Sequence, residues 1–266
     1  MTAASDVETV RYQVRDRVAT LTIDRPAVRN ALGPAEWRAL DQLARRAEAD
    51  PEVRALVVTG AGGNFSAGGD LKSMPERLAL PRHVRRAELL SDAQVVLTFR
   101  ALQKPIVAII EGAAVGAGLS LALACDVRIA ASNARLGAVF HKIGLTCDFG
   151  MSWLLSRAVG PGRAMDLLMS AEIVDGTRAE AIGLVSRVCA PEQVASEGHA
   201  YARRLADGPP VAMALTKGGL HRALERELAE MLAWEADAQA TCSKSDDVQE
   251  GLRAFGEKRK PEFRGR

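Results

Sequence analysis

The chain has 266 residues, 48% of them hydrophobic and 26% charged, with 35 basic side chains against 33 acidic ones and a formal charge of +2. Such a length can bury one large core or two modest ones, and the near-even charge argues against nucleic acid or a membrane surface as a partner. Four scattered cysteines and four scattered histidines, none at ligand spacing, give no support to a disulfide framework or a metal site.

At the N-terminus, MTAASDVETVRYQV holds no apolar run of signal-peptide length. VRYQV and VATLTID alternate as two adjacent strands, with Arg15-Asp16 at the turn. DRPAVRNAL leads into PAEWRALDQLARRAEAD, where Trp37, Leu40 and Leu43 form one apolar stripe at helical spacing. RALVVTG reads as a buried strand, followed by the glycine-dense loop AGGNFSAGGDLK. Residues 75–102 read as a helical, partly exposed segment whose Arg77, Arg82, Arg85 and Arg86 face solvent, although it could also rim a pocket.

The pattern then recurs: PIVAII is a strand, EGAAVGAG a second glycine-rich turn, and LSLALACD a helix apolar on nearly every side. Glu111 and the glycines interrupt this apolar region before it could span a bilayer, so a cytoplasmic enzyme or binding protein is the expectation. VRIAA and the surroundings of ARLGAV read as strands, and from Met151 onward helices dominate. Strand-turn-helix units followed by helices predict an α/β core over residues 1–206 and a helical C-terminal part over 207–266, divided near ADGPP.

The two glycine turns carry the first chemical clue. Glycine lets backbone approach a ligand closely and turn its N–H groups outward. Gly68 and Gly69 expose amides where a helix is expected to begin, and the Ala117 amide falls in the first turn of a buried apolar helix, at its positive dipole end. One amide from each turn, converging on one oxygen, would make an oxyanion hole. The same glycines also suit plain tight turns. A dinucleotide site lacks its third glycine, and GLSLA around Ser120 lacks the last glycine of a nucleophile elbow.

In order along the chain, DRPAVRNAL, NFSAGGDLK, KPIVAIIEGAAVGAGLSLALACDVRIA, the IGL segment, AEAIGLVSRV and AFGEKRKPEF resemble the crotonase, or enoyl-CoA hydratase/isomerase, superfamily. The resemblance implies a crotonase-like spiral of ββα repeats with a helical C-terminal trimerisation region, assembling as trimers or dimers of trimers. It implies an acyl-CoA thioester as substrate, with CoA arriving on that substrate and no separate cofactor or metal. By motif position the oxyanion donors are the amides of Gly69 and Ala117. Arg25, Val28, Arg29, Ala67, Asp70, Leu71 and Lys72 match the CoA-lining positions, and Phe255 and Lys258 match positions that reach a neighbouring subunit's CoA. Met74 and Leu78 are candidates for the acyl chain.

Hydratases of this superfamily use two glutamates, and here the matching positions hold Ser120 and Phe140. Neither replacement shuttles a proton as a carboxylate does. Asp148, in FHKIGLTCDFG, matches the aspartate of isomerase-type relatives, nearest to phenylacetate-pathway enoyl-CoA isomerases, and also that of 4-chlorobenzoyl-CoA dehalogenases. The dehalogenases add a tryptophan and a histidine where this chain has Phe140 and Ala93. The expectation is an enoyl-CoA isomerase using Asp148. The alternatives are a hydratase or lyase with non-standard residues, or a non-catalytic acyl-CoA binder. Asp148 could also simply cap the helix that follows it.

Overall fold

A computed structural model describes residues 9–266, so most of the leading stretch read for a signal peptide lies outside the described residues. Strands β1 (Val10–Arg15) and β2 (Val18–Ile23) form the expected antiparallel hairpin. Its two-residue turn, Asp16 and Arg17, takes positive φ at both positions, which matches the twist of the flanking strands. From β2 the sheet continues in parallel through β3 (Ala55–Gly60), β4 (Ile106–Ile110), β6 (Val127–Ala131) and β9 (Arg187–Cys189). Every residue of β4 is buried, which is why IVAII reads as an unbroken apolar run rather than an alternating one.

A second sheet holds β5 (Ala113–Val115), β7 (Arg135–Gly137) and β8 (Ile173–Asp175), in the order β5-β7-β8. The chain alternates between the sheets: β4 turns at Glu111-Gly112 into β5 and then helix α5 (Ala117–Ala124), and β6 passes into β7. Ser66, after β3, makes an isolated parallel bridge to Ala114 and so touches the second sheet too. This is the ββα spiral the sequence predicts.

Two readings of the sequence need correction and one, that helices dominate after Met151, needs an addition. EGAAVGAG is not only a turn, because Ala113–Val115 is strand β5. The region after Met151 also contains β8 and β9, each three residues long and too short to show a period. No helix begins at Gly69; the next one, α2, is Met74–Leu78, followed by α3 (Arg82–Asp92) and α4 (Gln94–Ala101).

Helix α1 (Pro34–Ala49) buries Trp37, Leu40 and Leu43 against the sheet, as their spacing predicts. After α6 (Met151–Val159), α7 (Pro161–Ser170) and α8 (Gly176–Ala181), helix α9 (Val194–Ala206) covers the first sheet. Helices α10 (Pro210–Ala223), α11 (Leu228–Cys242) and α12 (Asp246–Glu257) complete the chain. A buried cation pins α10 to the core: Lys217 Nζ lies 2.8 Å from Asp126 Oδ2 and donates to the carbonyls of Phe99 and Lys104. Among the described residues no helix is long and apolar enough to cross a membrane.

Candidate active site

The two glycine turns lie against each other, and the backbone bonds show how. Leu32 N–H donates to Gly68 O at 2.8 Å, and Asp70 N–H donates to Leu32 O at 3.1 Å. Peptide groups alternate in direction along extended chain, so with both flanking groups bonded to Leu32 the N–H of Gly69 points to the opposite side. On that side Ser66 O accepts from Val115 N–H at 3.1 Å, and Ser66 N–H donates to Ala113 O at 2.8 Å, which joins the first turn to β5.

Glycine is required at the contact itself. Gly68 has φ +89°, and a Cβ there would stand 2.7 Å from Val115 O and 3.4 Å from the Ala117 nitrogen. At Gly118, in the first turn of α5, a Cβ would meet three atoms of Ser66 within 2.8 Å. The amides of Gly69 and Ala117 therefore come from two loops in van der Waals contact. Among the described residues neither donates to a protein acceptor. Ala117 is the first residue of α5, where an N–H has no partner within the helix.

A knot of charge fixes the outer wall of the first loop. Arg25 lies 3.0 Å from Asp70 Oδ2 and 3.4 Å from Glu36 Oε2, and donates to Ala31 O at 2.7 Å. Glu36 also accepts the Gly33 N–H at 2.7 Å, closing the start of α1. Burial pushes the Asp70 carboxyl up, but the Arg25 hydrogen bond and the Lys72 N–H outweigh it and hold the group below the ordinary carboxylate value. Arg25 thus shapes the loop rather than offering an unpaired cation. Behind it, fully buried Asn30 accepts from Arg25 N–H and donates to the carbonyls of Ala61 and Asn64. The sequence reading passed over Asn30, which its burial and left-handed conformation mark out only in the structure.

The remaining CoA candidates fall around this loop. Val28 is half-buried in a 3-10 turn, while Arg29, Leu71 and Lys72 are exposed. Arg29 O accepts the Ala67 N–H at 2.9 Å, so the two lining segments are hydrogen-bonded to each other. Met74 Cε comes within 3.8 Å of where a Cβ on Gly69 would stand, so its side chain borders the donor loop, whereas Leu78 is exposed. Phe255, which is 87% exposed, and Lys258, the C-cap of α12, lie at the C-terminal end of that helix.

Asp148 lies against α5, where its main-chain carbonyl accepts from the Ser120 hydroxyl. It is not a side-chain cap: α6 starts at Met151 with Gly150 at its N-cap and no capping side chain. Its main-chain carbonyl does that work, accepting the Met151 N–H at 3.0 Å. The carboxylate is left over, with Oδ1 buried and accepting no hydrogen bond among the described residues. Leaving such an atom unpaired costs about 1–3 kcal/mol, so stability does not explain it. Burial pushes the Asp148 carboxyl up to about 6, against opposing pulls from Arg85, its own backbone and Arg77, and with a further push from Asp92.

The residues around this acid are apolar or already paired. Phe140 and Phe149 are buried, and Phe149 stacks on Trp37 with centroids 4.2 Å apart. Phe149 holds φ 50°, a conformation costing roughly 1–3 kcal/mol, which the stack and the burial offset. Arg77 pairs with the buried Asp92 at 2.5 Å, and Arg85 lies 3.4 Å from Glu88. The solvent-facing reading of the arginines is therefore correct for Arg82 and Arg86 and wrong for Arg77 and Arg85, whose side chains are only 14% and 18% exposed. For Arg85 the available signal was Glu88 three residues on along the same helix.

A ββα spiral with two loop amides turned out beside a buried acid defines an enzyme of the crotonase superfamily. The sequence model of the enoyl-CoA hydratase/isomerase family matches residues 13–266, and this chain belongs to that family. It is 34% identical to the short-chain-enoyl-CoA hydratase of Clostridium acetobutylicum, covering 97% of this chain and 98% of the relative. Identity to the (E)-benzylidenesuccinyl-CoA hydratase of Thauera aromatica is also 34%, covering 96% and 99%. The crystal structure of an enoyl-CoA hydratase from Polaromonas superposes with a TM-score of 0.92 at 34% identity, covering 96% of this chain and 99% of that one.

Proposed function

We propose that this protein is an enoyl-CoA isomerase that moves a carbon–carbon double bond with Asp148 as its only proton carrier. One observation carries this reading: Asp148 keeps a buried carboxylate oxygen, Oδ1, with no hydrogen-bond donor among the described residues, while the two positions where hydratases hold glutamates are Ser120 and Phe140. The thioester oxygen of a 3-enoyl-CoA sits between the N–H groups of Gly69 and Ala117. Asp148 takes a proton from the α carbon, the C–H electron pair forms a double bond between the α carbon and the carbonyl carbon, and the carbonyl π pair moves onto that oxygen, giving a dienolate whose β–γ double bond is still in place. Each donor stabilises this dienolate by about 3 kcal/mol. The protonated Asp148 returns its proton to the γ carbon, giving the conjugated 2-enoyl-CoA. An acid with a pKa near 6 suits both halves, since it is ionised at neutral pH yet binds a proton readily.

Exposed Arg29 and Lys72 are placed to meet CoA phosphates, and Val28, Ala67 and Leu71 to line the adjoining chain. Exposed Leu220, Leu228 and Phe255 on α10–α12 are surfaces a second copy would cover, consistent with a homotrimer in which Phe255 and Lys258 approach a neighbour's CoA. Light scattering gives the assembly mass directly.

A hydratase reading is favoured by the names of relatives such as the Clostridium protein. Incubation with 3-enoyl-CoA and 2-enoyl-CoA in deuterated water separates the two. Isomerisation that carries the α proton to the γ carbon, with deuterium entering there only as far as the protonated Asp148 exchanges with solvent, and that is abolished in Asp148→Asn, is the expected result. Accumulation of 3-hydroxyacyl-CoA, unaffected by that substitution, would establish hydration instead, and binding without turnover would leave an acyl-CoA binder.

A further inference from the structure

Ser120 occupies a position where this family's hydratases carry a catalytic carboxylate, and the structure gives it other work. Its side chain is completely buried in α5, and its hydroxyl donates to the main-chain carbonyl of Asp148 at 3.2 Å. The same carbonyl accepts the Met151 N–H, so both of its lone pairs are engaged. Ala117 lies three residues earlier on the same helix, about 4.5 Å along the axis. One rigid turn of helix therefore carries the Ala117 amide at one end and holds the segment bearing Asp148 at the other. That segment needs holding, because Phe149 and Gly150 immediately after it both take left-handed backbone conformations.

We infer that Ser120 is a positioning residue that fixes the backbone of Asp148 relative to the Ala117 amide, keeping acid and oxyanion donor in register during proton transfer. It acts through Asp148 and touches neither the substrate nor the proton. The inference rests on the isomerase reading for its assay, yet the two fail separately. Undiminished turnover in Asp148→Asn would remove the isomerase reading, whereas a lethal Asp148→Asn beside an unaffected Ser120→Ala would remove only the role of Ser120.

The charges that act on the acid are Arg77 from α2 and Arg85 and Asp92 from α3. None of these charges changes in Ser120→Ala, so any movement of the titration reports displacement of the acid itself.

The experiment measures kcat, KM and the carboxyl ¹³C titration of Asp148 in the full-length wild type and in Ser120→Ala. Loss of one positioning hydrogen bond is expected to lower kcat on the order of tenfold with KM little changed. The Asp148 midpoint should fall toward the ordinary carboxylate value as the released segment gains water. Ser120→Cys, which keeps a weaker donor, should lie between the two in rate. If Ser120→Ala folds poorly, Ser120→Cys alone decides. A wild-type kcat together with an unmoved Asp148 midpoint in the folded variant overturns the inference.

Discussion

Asp70 and Asp148 both sit in loops bounding the candidate active site, and the fold treats them in opposite ways. Asp70 has an arginine 3.0 Å away and a backbone N–H on its other oxygen, and its carboxyl is held below the ordinary value. Asp148 has a buried oxygen with no donor and is pushed up to about 6. A paired carboxylate stays ionised and works as a strut, here keeping the Gly69 loop in place. An unpaired, desolvated one destabilises the protein when ionised and gains proton affinity in return. Partners, rather than residue type, separate the structural acid from the chemical one.

The strongest way to break this contrast is Asp148→Asn, which should lower kcat by on the order of 10³-fold or more while calorimetry finds CoA affinity unchanged. Arg25→Met attacks the opposite pole. It strands Asp70 and the buried Glu36 without their cation, and should cost about 4 kcal/mol in a denaturant-unfolding measurement. A preserved unfolding midpoint would mean the knot is not structural.

Asp148→Asn should also stabilise the protein, with a definite pH dependence. The folded carboxyl binds its proton more tightly than the unfolded one, so its favourable contribution is complete below about pH 4 and is lost as pH rises through about 6. The asparagine variant should therefore exceed wild type by up to about 3 kcal/mol at pH 8, and the advantage should vanish near pH 4. Equal melting curves at both pH values would show that the acid is solvated in solution.

The smallest effect sharpens the picture rather than testing its poles. Wild-type kcat/KM should fall on the acid side with a midpoint near 6, because the base must be ionised. Arg85 favours the ionised form, so Arg85→Gln should move that limb to higher pH. A limb moving downward would remove Arg85 from the surroundings of Asp148.

Much of the fold was legible because burial writes a period into the chain. The alternation of VRYQV and VATLTID, the stripe of Trp37, Leu40 and Leu43, and the all-apolar IVAII each map onto the element they predict. Strands β5, β8 and β9 escaped because three residues cannot display a repeat, and their pairing partners lie far along the chain. The site divided in the same way. Glycines at 68 and 118 were visible as residues, but the 2.7 Å approaches that require them became visible only when the two loops met.

The family and its ββα spiral came from the resemblance of the motifs; from the residues themselves came the two candidate amides, the absence of glutamates at positions 120 and 140, and the presence of one carboxylate at 148. Those are matters of order and composition along a single chain. Tertiary structure decided that Arg25 is occupied by Asp70 and Glu36, that Arg77 and Arg85 turn inward, that Ser120 grips the backbone of Asp148, and that the acid caps nothing. The reason is physical: proton affinity depends on how much water and which charges surround a group, and residues separated by dozens of positions in sequence supply both.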